Sequence, residues 1–179
     1  MQSKAITPEE AVKIIREAGC SDEVLAHVAA VRELAMRIAK KAQENGHKVD
    51  KNLVELGSIL HDIGRSKTHG IDHAVEGAKV ARRLGLPDEI VNIIERHVGA
   101  GIPKEDAVKI GLPPKDYIPR TLEEKIVAHA DNMIGGSKRE PIAKTVSKLR
   151  KKGLEDAARR MEALHRELNE ICGMDLDLI

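Results

Sequence analysis

The sequence predicts an all-α protein, and three observations lead to this prediction. Apolar residues recur three and four positions apart through most of the 179 residues, which is the spacing of one face of a helix. Typical helix-capping residues precede these segments, and glycines follow them. No stretch alternates between apolar and polar residues as a half-buried strand does. Apolar residues make up 41% of the chain, and Phe and Trp are absent, so we expect an aliphatic core.

Capping signals divide the first half of the chain into five helices. The first has Thr7 as its N-cap and ends at Gly19, and Asp50 caps the third, which runs from Lys51 to about Asp62. The others are a second helix from Ser21 to about Asn45–Gly46, a fourth capped by Asp72 and stopped by Gly85, and a fifth from Pro87 to near Gly99. Residues 65–71 between the third and fourth helices are predicted to form a loop.

The second half contains one long connection and three further helices. Residues 99–120 are rich in proline and glycine, which predicts an irregular segment with one helical turn at Lys104–Lys109. Thr121 opens the sixth helix, which breaks at Gly135–Gly136. The last two helices are predicted over Glu140–Lys151 and Leu154–Cys172. The total is about seven to eight helices in a single domain spanning residues 1–179.

Charge and composition limit the partners and the compartment. The 30 basic and 29 acidic side chains nearly cancel, and Tyr117 is the only Phe, Trp or Tyr residue, which argues against nucleic-acid binding by charge or aromatic stacking. No apolar run is long enough to cross a membrane, and residues 1–4 lack the apolar stretch of a signal peptide. Cys20 and Cys172 lie far apart and are predicted to be buried thiols in a reducing compartment. We therefore expect a cytoplasmic protein.

Four histidines occupy positions where the helical pattern calls for apolar residues. His27, His61, His73 and His97 each continue the apolar face of a different predicted helix. A single histidine in such a position is usually a core residue with one hydrogen bond. Four on four helices favour a shared metal site, because burying each imidazole without a partner costs free energy.

Two carboxylates complete this candidate set. Asp62 follows His61, and Asp131 lies on the apolar face of the sixth helix. Mixed imidazole and carboxylate ligands suit Mn, Fe, Co, Ni or Zn better than Ca or Mg. The sequence therefore predicts one or two divalent transition-metal ions.

The order of these residues resembles that of the HD-domain superfamily of metal-dependent phosphohydrolases. His61–Gly64 looks like the HDIG form of its motif, and His73–Gly77 and His129–Asp131 resemble its later segments. The chain is most similar to uncharacterised archaeal HDIG proteins of this superfamily. The resemblance implies an HD-type orthogonal helical bundle with a metal-site core over about 21–135. A C-terminal helical extension over about 140–175 lies outside the match. Whether the protein forms a homodimer is left open.

The resemblance also implies roles for the candidate residues. His27, His61, Asp62 and Asp131 would bind one metal ion, and His73 and His97 would mark a two-metal member in which Asp62 bridges both ions. His69, four residues before His73, is the rival ligand; we favour His73 because it begins an apolar face. Two such ions would generate a metal-activated hydroxide that attacks the phosphorus atom.

Further residues are assigned to the substrate. Arg65 and Lys67 are candidates to bind its phosphate, with ordinary surface charge as the alternative. His129 is a candidate general acid, and the alternative is a packed core or boundary histidine. The expected activity is that of a phosphomonoesterase or phosphodiesterase acting on a nucleotide or another small phosphate ester.

Two other functions remain open. Some HD-fold proteins that resemble this ligand set are di-iron oxygenases, and a metal cluster could also stabilise a non-enzymatic sensor or interaction protein. Arg65 stands where cyclic-di-GMP phosphodiesterases of the superfamily have Lys, and Val98–Gly101 stands where they have a GYP motif, so that substrate is not implied.

Overall fold

The computed structural model describes residues 5–179, and it confirms the all-α prediction. Residues 1–4, for which the sequence predicts no signal peptide, lie outside the described residues. Within that part of the chain there are nine α-helices: α1 (Pro8–Glu17), α2 (Asp22–Glu44), α3 (Lys51–Leu60), α4 (His73–Arg83), α5 (Asp88–Glu95), α6 (Lys104–Lys109), α7 (Leu122–Asn132), α8 (Ile142–Lys151) and α9 (Glu155–Cys172). Among residues 5–179, no helix is long and apolar enough to cross a membrane.

Side-chain caps fix the starts of four of the nine helices in the described residues. Thr7 and Glu10 form a reciprocal capping box at α1, and Ser21, Asp50 and Thr121 accept from backbone N–H groups of α2, α3 and α7. Asp72 precedes α4 as predicted, but it makes no capping bond. Its Oδ1 instead accepts from the Thr68 hydroxyl at 3.0 Å, which ties the preceding loop together.

The structure departs from the sequence-based prediction in three short segments. A 3₁₀ turn, Ile63–Ser66, begins the predicted 65–71 loop. The α5 helix ends at Glu95, so His97 lies beyond the helix and does not continue its face. The predicted break at Gly135–Gly136 is a β-hairpin, in which β1 (Ile134–Gly135) pairs antiparallel with β2 (Lys138–Arg139). Two-residue strands are too short to show an alternating pattern.

The core consists of two large aliphatic clusters. One lies under α1, α3, α4 and α5 and includes the fully buried Ile15, Leu60 and Ile94. The other joins α2 and α7 to α8 and α9, for example through Ile38 and Leu168. The predicted C-terminal extension therefore contributes to a core that it shares with the helices of the HD-like region.

Two glycines bring the 3₁₀ turn against α4. A Cβ at Gly64 would lie 1.7 Å from the His73 carbonyl oxygen and 2.6 Å from the Gly77 nitrogen, and a Cβ at Gly77 would lie 3.0 Å from the Gly64 nitrogen. Only residues without a side chain allow this approach of backbone to backbone. The contact places the start of α4 directly beside Asp62.

Candidate metal centre

The six predicted ligands meet in one cluster at the ends of five helices. His27 lies near the start of α2, His61 directly follows α3, and His73 is the first residue of α4. His97 follows α5, and Asp131 lies in the last turn of α7. His61, Asp62, His73 and His97 are buried, and His27 and Asp131 are partly buried.

Each of the four imidazoles is held by its Nδ1 atom on a backbone carbonyl oxygen. His61 donates to Ser58 at 2.7 Å, His73 to Gly70 at 2.8 Å and His97 to Ile94 at 2.7 Å. His27 donates to Gly136 in the hairpin turn at 2.6 Å. Because a carbonyl oxygen only accepts, each Nδ1 carries a proton, and each ring directs Nε2, the nitrogen left to bind a metal ion, into the cluster.

The Nε2 atoms of three cluster histidines are in surroundings that are unfavourable without a cation. The Nε2 of His61 is buried without a hydrogen-bond partner among residues 5–179. The Nε2 atoms of His73 and His97 lie only 3.0 Å apart, which crowds two ring nitrogens together inside the protein. A cation between them would relieve both defects, and this arrangement fits a transition metal.

Asp62 lies between two groups of ligands. Its Oδ1 is 3.3 Å from His73 Nε2 and 3.4 Å from His97 Nε2, whereas its Oδ2 is 3.7 Å from Nε2 of both His27 and His61. Asp131 Oδ1 joins the second group, at 2.8 Å from His27 Nε2 and 3.5 Å from His61 Nε2. The donor atoms thus suit two adjacent metal ions with one shared carboxylate.

The electrostatics of the cluster keep the carboxylates ionised. Burial raises the pKa of Asp62, but His61 and the hydrogen bonds from His73 and His97 outweigh it and hold that pKa well below its usual range. Burial lowers the pKa of His61, but Asp62 and Asp131 raise it overall to about 9. The cluster is therefore a site of concentrated negative charge that attracts cations.

The hairpin after α7 belongs to the support of this centre. The space where a Cβ would stand at Gly135 is occupied by the carboxylate of Glu140, which pairs with Lys144 at 2.6 Å and Lys148 at 3.3 Å. These contacts hold the turn whose Gly136 carbonyl orients His27. Sequence reasoning missed this role, and its only signal was the Gly135–Gly136 pair.

A hollow of about 290 Å³ opens beside the cluster. Asp62, His73, His97 and Asp131 form one wall, and the rest of the lining is Arg65, His69, Gly70, Ile71 and Val98. The cluster therefore faces a space that a small ligand can enter.

Of the predicted substrate residues, Arg65 lines the hollow and Lys67 does not. The Nε of Arg65 lies 3.6 Å from Asp62 Oδ1, and its Nη1 donates to the His69 carbonyl at 2.7 Å. Lys67 is exposed and is not part of the lining. His69, the rival ligand, lies at the rim, whereas the His73 ring lies in the cluster.

His129 does not line the hollow. Its ring is fully buried, and its Nε2 lies 2.9 Å from Nδ1 of His165 on α9. His165 in turn lies 3.4 Å from Asp175. The packed core histidine that the sequence left as an alternative is the arrangement found here.

Comparisons with known proteins identify the family. The family model described as HD domain matches residues 24–135. An uncharacterised protein of Methanocaldococcus jannaschii, MJ0778, is 48% identical over 165 residues, which cover 91% of this chain and 97% of that protein. The tRNA (cytidine(56)-2'-O)-methyltransferase of Thermoplasma volcanium is 49% identical over 176 residues, covering 97% of this chain and 51% of that protein. The chain thus spans about half the length of this methyltransferase.

More distant similarity extends to a nuclease and a phosphodiesterase. The ribonuclease Y of Acidothermus cellulolyticus is 29% identical over 158 residues, covering 86% of this chain and 28% of that protein. The HD domain of the L. monocytogenes phosphodiesterase PgpH, solved in complex with cyclic-di-AMP, covers 90% of this chain and 96% of its own, with a TM-score of 0.55 and 19% identity. The last similarity shows that the fold is shared.

Proposed function

The chain belongs to the HD domain family, and from this premise we propose that it is a metal-dependent phosphohydrolase acting on a nucleotide or another small phosphate ester. The observation that carries the proposal is the placement of Asp62 between two groups of imidazoles whose Nε2 atoms are directed at it, with the buried Nε2 of His61 left without a hydrogen-bond partner. We assign His27, His61, Asp62 and Asp131 to one ion, and Asp62, His73 and His97 to a second.

The metal ions supply the chemistry that the side chains lack. When bound, divalent transition-metal ions lower the pKa of water and neutralise charge on phosphate oxygens. The six side chains fix the positions of the ions, and the four Nδ1 bonds keep each ring from rotating.

Arg65 is the residue that we propose to bind the substrate phosphate. One Nη1 bond to the His69 carbonyl holds the guanidinium at the hollow, and its Nη2 group is left to donate to a phosphate oxygen. Its side chain is 27% exposed, so a ligand in the hollow can reach it. Lys67 stays a prediction, as a charge that attracts anions from outside the hollow.

The size of the hollow and the names of similar proteins favour a phosphodiester in a small molecule. A volume of about 290 Å³ lies at the low end of ligand sites and fits a phosphate with part of a nucleoside. A ribonuclease and a cyclic-di-AMP phosphodiesterase are among the similar proteins. The aromatic platforms on which long single strands stack are missing from the lining residues.

The proposal is tested by metal analysis followed by a screen of phosphate esters. We expect up to two equivalents of Mn, Fe, Co, Ni or Zn and metal-dependent release of phosphate or opening of 2′,3′- or 3′,5′-cyclic nucleotides. Asp62→Asn and His61→Ala should lose metal and about a thousandfold of the activity, because metal ions contribute several kcal/mol to such reactions.

Asp156→Asn and His47→Ala are the matched controls, since both residues are exposed and lie away from the hollow. Wild-type turnover by Asp62→Asn would refute the proposed site. Bound iron with O₂ consumption and no ester hydrolysis would instead indicate the oxygenase alternative. Bound metal with neither activity would indicate the sensor alternative.

A further inference from the structure

Besides the cluster residues, the hollow is lined by two polar side chains that can act on a substrate. Apart from the cluster residues, its lining consists of Arg65, His69, Gly70, Ile71 and Val98. Gly70 carries no side chain, and Ile71 and Val98 are apolar. Arginine side chains stay protonated in proteins, whereas an imidazole can give up a proton, so His69 is the candidate proton donor among these residues.

The other histidines of the described chain are committed elsewhere. The four cluster rings have Nδ1 on backbone carbonyls and Nε2 in the metal centre. His129 and His165 pair with each other under α9, and His47 is exposed and does not line the hollow. His69 is therefore the imidazole that faces the hollow without a place in the cluster.

The loop that carries His69 is held in a defined position. Arg65 Nη1 donates to the His69 carbonyl at 2.7 Å, and the Thr68 hydroxyl donates to Asp72 Oδ1 at 3.0 Å and accepts from the Gly70 N–H at 3.0 Å. The Gly70 carbonyl accepts from His73 Nδ1. One short loop thus fixes a cluster ligand and presents an exposed imidazole at the entrance.

Hydrolysis of a phosphate ester with an alkoxide leaving group is accelerated by a general acid that protonates the leaving oxygen. We propose that His69 is that acid, an inference that rests on the proposed phosphohydrolase function. A water oxygen forms the new P–O bond, and the proton that it loses goes to solvent. The bond to the leaving oxygen breaks with its electron pair, and that oxygen takes a proton from the His69 imidazolium. The neutral, exposed ring then regains a proton from solvent.

The test compares leaving groups in wild type and His69→Gln. The substrates are ethyl phosphate and p-nitrophenyl phosphate, or their methyl diesters if the screen identifies a diesterase. Ethoxide leaves poorly without a proton, whereas p-nitrophenolate leaves readily as an anion. We expect His69→Gln to lower kcat on the ethyl ester at least about a hundredfold and on the p-nitrophenyl ester less than about fivefold.

Metal content and a matched variant separate this role from others. His69→Gln should keep the wild-type metal stoichiometry, and His47→Gln should keep both rates. An equal loss on both esters, no loss on either, or a loss of bound metal would overturn the proposal. If wild type hydrolyses no ester at all, the proposed function fails first, and the role of His69 fails with it.

Discussion

At the scale of single residues, the decisive feature is that hydrogen bonds to backbone carbonyls fix the orientation of every cluster histidine. The donors of the carbonyl bonds are Nδ1 atoms, so four Nε2 atoms converge on the carboxylates of Asp62 and Asp131. Without cations, these polar groups would lose their hydration on burial and gain too few partners in return, which costs free energy. The cost of burial is thus evidence for a function beyond packing.

The sequence predicts the six candidate ligands but not all of the residues around them. His27, His61, His73 and Asp131 could be recognised because they interrupt apolar helix faces. The Gly136 carbonyl could not be recognised, because every residue has a backbone carbonyl and the residue type does not show which one holds His27. The spacing did indicate that His129, two positions from Asp131, lies on another face of α7, but it did not identify His165 as its partner.

His129 should make the protein sensitive to acid. Burial, with a smaller contribution from His165, lowers the pKa of His129 to about 3, whereas an unfolded histidine has a pKa of about 6.5. Between these values the unfolded chain binds the extra proton. The part of the free energy of unfolding that depends on neutral His129 is therefore intact above about pH 6.5. It is lost as the pH falls towards 3, by up to about 1.4 kcal/mol per pH unit.

Urea unfolding between pH 7 and pH 4.5, with a chelator present so that metal release adds nothing, measures this effect. The free energy of unfolding should fall less steeply with acid in His129→Gln than in wild type. The exposed His47 provides the control, and His47→Gln should follow the wild-type curve. Parallel curves for wild type and His129→Gln would contradict the assignment.

At the scale of elements, helix ends carry the chemistry, and the segments between them set its geometry. Capping residues predicted most of the helix starts because a cap is a local interaction. The end of α5 at Glu95 and the hairpin at Ile134–Arg139 were not predicted. They depend on tertiary contacts, namely the His97 ring in the cluster and Glu140 against Gly135.

Gly64 is the element-scale position that should tolerate substitution least. A methyl group there would meet the His73 carbonyl at 1.7 Å and the Gly77 nitrogen at 2.6 Å, and backbone atoms cannot move aside as side chains do. We expect Gly64→Ala to lower the free energy of unfolding by about 3 kcal/mol or more, and to weaken metal binding because α4 carries His73.

Gly70→Ala is the comparison for stability in the same loop, because its methyl group would meet side-chain atoms of Asp72 and Thr68 and no backbone atom. Chemical denaturation of both variants gives the comparison, and metal titration is read for Gly64→Ala against wild type because the Gly70 carbonyl holds His73. An effect of Gly64→Ala no larger than that of Gly70→Ala would show that the close approach of the 3₁₀ turn to α4 is not required.

At the scale of the whole molecule, one core connects the metal centre to the C-terminal helices. Leu168 on α9 is fully buried in the same cluster as Ile38 of α2 and Val127 of α7, and those two helices also carry His27 and Asp131. We therefore propose that residues 1–179 form a single domain, in which the extension over about 140–175 supports the site from behind.

If residues 1–179 form a single domain, a destabilising substitution in α9 should also weaken metal binding at the centre. Leu168→Ala removes a fully buried side chain and should lower the free energy of unfolding by about 2–5 kcal/mol. Helix loss, followed by circular dichroism, and metal release should shift together to lower denaturant concentration, because one cooperative transition removes both. Leu154→Ala, at a position 48% exposed in the same C-terminal region, should leave both curves nearly in place. If Leu168→Ala instead splits the helix signal into two steps while metal release stays at the wild-type midpoint, the extension is a separate folding unit.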